Sequence, residues 1–115
     1  KIIVGSTDLL GRDTGYSHEN SYFWNSDSIG FVLVNNCNQN TLATDIGHLI
    51  AHETGHILGL EHKLNSDGTY NTGFGIGQRS TGFVMGNFTG KNYVIWDEND
   101  IATLNGILGS KYNPI

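Results

Sequence analysis

The chain is predicted to adopt an α+β fold. The prediction rests on short β-branched runs in the N-terminal third, a long amphipathic stretch in the middle, and a shorter helical stretch near the C terminus. Lys1 to Ser6 and Ile29 to Val34 are β-branched, apolar runs suited to buried strands of one sheet, the second ended by Asn35 and Asn36. Between them, Gly15 to His18 and Ser21 to Trp24 mix β-formers with turn residues, which predicts a third, irregular strand and a long surface loop. Thr41, or Thr44 followed by Asp45, can cap a helix whose apolar face is Ile46, Leu49, Ile50, Ile57 and Leu58. From Asn65 to Gly90 the glycines and asparagines offer turns with hardly any periodicity, and the segment reads as irregular structure. Asp97, Glu98 and Asp100 supply a cap and acidic first turn for a last helix carrying Ile101, Leu104, Ile107 and Leu108, with Gly109 as its stop.

Composition narrows the function. At 115 residues the chain is one domain, and 16 glycines with only 15% charged residues describe a turn-rich globular fold. A net charge of −5 with six Lys and Arg leaves no basic stripe for phosphates, so nucleic acid is not an expected partner. No apolar run is long enough for a membrane span, and Lys1 to Gly5 has no signal-peptide pattern; if the protein is exported, the signal has already been removed. Cys37 is the single cysteine, which excludes an intrachain disulfide and a cysteine-rich zinc site. Packing is its expected role, with a thiolate capping a metal in a latent form as the alternative.

The chemistry concentrates between His52 and His62. His52-Glu53-Thr54-Gly55-His56 places two imidazoles four residues apart, about 40° apart around a helix and one turn along it, so both can reach one ion. A catalytic zinc takes three protein ligands and keeps a fourth position open, and His62 is the available third. A continuous helix would carry His62 roughly 9 Å further along the axis and about 120° off the ligand face, so the helix must stop before it. Gly59, three residues after His56, can adopt positive φ and turn the chain back. Zinc lowers the pKa of bound water toward neutrality, and Glu53, beside the first ligand, is placed to act as general base and then proton donor. A closed structural zinc site with a fourth protein ligand is the bland alternative. His48 could pair with His52 at the same spacing, but that pair would waste Glu53. His18 could serve a second ion or a substrate, although a solvated loop histidine is the simpler reading. Asp8, Asp13 and Asp67, near glycines, are candidate calcium ligands without a complete calcium-loop pattern.

The run His52 to His62 reads HExxHxxGxxH and resembles the elongated zinc signature of the metzincin metallopeptidases. Phe83-Val84-Met85-Gly86 lies where that clan places its Met-turn, which implies that Met85, the single methionine, forms a floor beneath the three histidines without ligating the metal. The resemblance implies a metzincin-like domain with an upper part, residues 1–59, of a small twisted sheet on the active-site helix. The lower part, residues 60–115, would hold the third ligand, the Met-turn and a C-terminal helix. Asp97 to Gly109 resembles the end of matrixin catalytic domains, and matching the strands on that basis leaves the clan's first strands and helix unaccounted for: either the fold is a reduced metzincin, or a separate chain or pro-segment completes it. Lys63 after the third histidine matches no metzincin subfamily, and Asn87 stands where some subfamilies place a metal-bound tyrosine. The implied activity is secreted, zinc-dependent endopeptidase action on an extended polypeptide aligned along the edge strand at Asp13 to Glu19, in a pocket walled by Phe83, Phe88 and Tyr93. A catalytically silent zinc-binding recognition module and a zinc amidase on small or cell-wall substrates are the rival functions.

Overall fold

A computed structural model describes residues 1–5, 14–22, 28–34, 37, 39–71, 81–86 and 93–109. Strand β1 (Ile2–Gly5), strand β2 (Gly15–Ser17) and strand β3 (Gly30–Leu33) form a sheet in the order β1-β3-β2. β1 runs parallel to β3, with Ile2 opposite Gly30, and β2 runs antiparallel to it, with Ser17 opposite Gly30. The expected third strand is therefore present but shorter. Ser21 and Tyr22 do not extend it, because the Asn20 and Tyr22 amides donate to the carbonyls of His56 and Ile57 at 2.7 and 3.0 Å. Those bonds satisfy acceptors that the end of a helix leaves without intrahelical partners, and they bind the 18–22 loop to that helix.

Helix α1 (Leu42–Ile57) follows a 3₁₀ turn at Gln39–Thr41. Thr41 occupies the cap position but its hydroxyl donates to Asp45 Oδ2 at 2.7 Å instead of accepting from the backbone. Asp45 then places negative charge in the first turn, where the helix dipole favours it. One side of α1 faces the sheet, where Leu49 is buried with Val32 and Cys37 and is flanked by Ile2, Leu42 and Ile46. The other side meets a second cluster of Leu60, Val84 and Met85, with Ala51, Val94, Trp96 and Leu104 around it. A helix gripped on two sides exposes only a narrow remainder, and Ile50, expected on the apolar face, falls on its exposed margin. His52 and Glu53 are buried instead.

Two strands are absent from the sequence reading, one inside the segment 65–90 and one just after it. Strand β4 (Thr81–Phe83) pairs in parallel with strand β5 (Tyr93–Ile95), and Leu64 bridges Tyr70 across the Asp67-Gly68 turn. Three-residue strands are too short to carry an alternating pattern. Helix α2 (Glu98–Leu108) starts as expected: Asp97 accepts from the Asp100 amide at 2.8 Å, and Gly109 ends it at φ +77°. Among the described residues no helix is long and apolar enough to cross a membrane.

Candidate metal centre

The centre is built around the end of α1. Leu58 caps the helix, and Gly59 follows at φ +100°. The Gly59 amide donates to the His56 carbonyl and the Leu60 amide to that of Gly55, both at 2.9 Å, which is the Schellman arrangement that reverses a chain after a helix. A side chain at Gly59 would be strained by its φ and would meet Asn20 Oδ1 at 2.9 Å. Leu60, only 2% exposed, plugs the turn into the Val84–Met85 cluster, and His62 swings back toward α1.

The three histidines converge. Nε2 of His52 lies 3.1 Å from that of His56 and 3.2 Å from that of His62, and the His56–His62 separation is 3.0 Å. Tetrahedral zinc with nitrogen bonds near 2.05 Å sets neighbouring ligand atoms about 3.3 Å apart, so the spacing fits one ion. The outward-facing nitrogens explain why these contacts are not ordinary hydrogen bonds. His52 Nδ1 is 2.6 Å from the Val84 carbonyl and His56 Nδ1 is 2.9 Å from the Leu60 carbonyl. A carbonyl only accepts, so each Nδ1 carries the proton and, in the neutral ring, each Nε2 presents a lone pair. Two lone pairs facing each other at about 3 Å repel, and a cation between them removes the conflict. Burial drives His52 further toward the neutral form: it pushes the pKa down to about 4, with His56 and His62 adding to the effect and the Val84 contact opposing it. The His62 pKa is also lowered, first by burial and then by His56, against the pull of Glu19. Tyr70 closes the outer side, its hydroxyl 3.4 Å from His62 Nδ1 and its ring edge-on to the imidazole at 4.9 Å.

Glu53 lies on the sheet-facing side of α1 and is 4% exposed. Ser17 of β2 donates its hydroxyl to Glu53 Oε2 at 2.5 Å, and the backbone of Gly15 in the same strand lies against the other carboxylate oxygen. A buried carboxylate held by a charge-assisted hydrogen bond keeps a defined orientation. Met85, with no exposed surface, packs its sulfur against Gly55, in the helical turn between His52 and His56, and a Cβ there would collide with it. The Met85 carbonyl accepts from the Lys63 amide at 2.7 Å. Lys63 extends its ammonium to Asp97 at 2.6 Å and to Asp100 at 3.3 Å. Burial would lower the Lys63 pKa, but its hydrogen bonds and ion pairs with the two aspartates more than offset that and raise it.

The remaining candidates fall elsewhere. Among the described residues, His52, His56 and His62 are the group of metal-ligating side chains whose ligand atoms come within one ion's reach. His48 is half-buried one turn earlier on α1, and His18 is exposed, packed edge-on against Tyr16. Cys37 is buried in the sheet–helix core, where its Sγ lies 3.5 Å from the Leu33 carbonyl and burial, helped by Asp45, pushes its thiol pKa up. Asp67 is exposed and accepts from the Thr69 amide and hydroxyl at 2.9 and 2.6 Å. Asp8, Asp13, Asn87, Phe88 and the Tyr93 side chain lie outside the described residues.

Sequence reasoning missed Ser17, Tyr70 and Glu19, whose Oε1 sits 3.6 Å from His56 Nδ1. No local pattern marks these residues, because each reaches the centre through a tertiary contact. Comparisons with models of known families, with curated proteins and with solved structures find no significant match to this chain.

Proposed function

We propose that this protein is a small zinc-dependent endopeptidase of the metzincin type, with His52, His56 and His62 as metal ligands and Glu53 as general base. The observation that carries the reading is the convergence of three Nε2 atoms, two of them with their lone-pair tautomer set by a backbone carbonyl, on the helix that buries Glu53. Zinc, if held by these three histidines, would supply Lewis acidity and acidify water toward neutrality. Glu53 accepts a proton from water and returns it to the departing amine nitrogen, its carboxylate oriented by Ser17. The same residue thus serves in both halves of the reaction. Among the described residues β2 is an edge of the three-stranded sheet and carries Ser17, so an extended polypeptide laid along it would pass beside Glu53. Action outside the cell belongs to the same proposal and rests on the resemblance of the motif.

The test is a fluorogenic peptide-library assay on protein with measured zinc content, beside Glu53→Gln. Expected are one zinc per chain in both proteins, cleavage by the wild type, and a loss of roughly 10² to 10⁴ in kcat for the variant. Zinc binding without cleavage of any peptide, and with no effect of the substitution, would favour a silent recognition module. Turnover confined to small amides would favour the amidase.

A further inference from the structure

We infer that Lys63 is a positioning residue for the third ligand: its ammonium, clasped between the carboxylates of Asp97 and Asp100, anchors the chain segment that delivers His62. The inference rests on the metal-centre reading above.

The three imidazoles are held very unequally. His52 and His56 ride on a sixteen-residue helix, and each has a backbone carbonyl behind its ring, at 2.6 and 2.9 Å. His62 follows the helix, is exposed, and has the Tyr70 hydroxyl at 3.4 Å behind it. Its position is set by the residues on either side. Upstream, Leu60 is buried and bonded to Gly55. Downstream, Lys63 is tied at three points: its amide to the Met85 carbonyl at 2.7 Å, its carbonyl to the Asn71 amide at 2.8 Å, and its side chain to the start of α2.

The side-chain tie differs from an ordinary surface ion pair, which is worth little. Lys63 and Asp97 side chains are each 20% exposed and that of Asp100 is 7% exposed. The ammonium has two carboxylate partners, and three donors on a compact head suit that arrangement. Asp97 also caps α2, so the clasp joins the third-ligand segment to a helix whose Leu104 packs against the Met85 cluster. A residue adjacent to a ligand and fixed to that framework limits how far the ligand can wander. Metal sites register such displacements strongly, since loss of an outer-sphere partner commonly costs 10- to 100-fold in affinity.

The experiment compares wild type, Lys63→Met, Lys63→Arg, Asp97→Asn and the Lys63→Met/Asp97→Asn double variant. Zinc affinity is read by competition with a chromophoric chelator, coordination geometry from the cobalt(II) d–d spectrum, and folding from circular dichroism. Lys63→Met is expected to bind zinc about 10- to 100-fold more weakly with an altered cobalt spectrum. Lys63→Arg should recover most of the loss. Asp97→Asn, which keeps an acceptor for the α2 cap, should lose less, and the double variant should be hardly worse than Lys63→Met alone. A folded Lys63→Met with wild-type affinity and spectrum overturns the inference, as does a loss of thermal stability with both metal readouts unchanged. If Lys63→Met fails to fold, Asp97→Asn decides: wild-type affinity and spectrum in that variant overturn the clasp. Wild-type protein that binds no metal at all would instead sink the metal-centre reading and the inference with it.

Discussion

Acid should destabilise the metal-free protein through His52. The imidazole titrates near 6.5 in the unfolded chain and near 4 in the fold, where burial disfavours its charged form. A group whose folded pKa is depressed contributes stability above the unfolded value and loses it as pH falls toward the folded value, because the unfolded state binds the proton first. The window is therefore pH 6.5 down to 4. A gap of about 2.5 pH units at about 1.4 kcal/mol each is on the order of 3 kcal/mol, a large share of the 5–15 kcal/mol that holds a typical domain together. Burial lowers the His62 pKa and, despite the opposing charge of Asp45, that of His48, so both act in the same direction. Asp100, whose pKa is raised by burial, acts in the opposite one. The difference between wild type and His52→Gln isolates the His52 contribution from all three. Urea unfolding in the presence of chelator, followed by tryptophan fluorescence from pH 7.5 to 4, should show the wild-type advantage shrinking by about 3 kcal/mol across that window. A difference that stays constant with pH would refute the argument that His52 is buried as a neutral base.

Three further outcomes, each expected on the proposed zinc-peptidase reading, test other parts of the site. Gly59→Ala should weaken zinc binding about tenfold by chelator competition, since φ +100° costs an alanine roughly 1–2 kcal/mol and its Cβ meets Asn20. Met85→Ala should lower unfolding stability by about 2–5 kcal/mol, because the side chain is fully enclosed, whereas Met85→Leu should cost less than about 1.5 kcal/mol; both should retain one zinc per chain by elemental analysis. Ser17→Ala removes the hydrogen bond to Glu53 and is expected to reduce peptide turnover about tenfold while leaving zinc affinity unchanged.

The local chemistry was legible in the sequence because it is repeated at helical spacing. His52 and His56 one turn apart, Gly59 at the point where the helix must end, and Asp97 with Gly109 bracketing α2 are all consequences of backbone geometry within a few residues. Local spacing also predicted that His62 must return to the first two histidines if all three are to share one ion. It did not reveal what brings it back: Leu60 packed on Val84 and Met85, and Lys63 held by two aspartates more than thirty positions later. The thirty-six positions from Ser17 to Glu53 concealed their bond in the same way. The apolar face drawn for α1 omitted His52 and Glu53, because a periodicity argument assigns polar residues to solvent, whereas a helix packed on both sides encloses them. The parallel pairing of β4 and β5 left no trace in composition, since two three-residue strands owe their existence to each other. The sequence by itself determined which atoms can ligate a metal and where the chain must bend. Only the tertiary structure decided which tautomer the His52 ring presents, which side chain orients Glu53, and what holds His62 in place, because those depend on contacts between residues far apart along the chain.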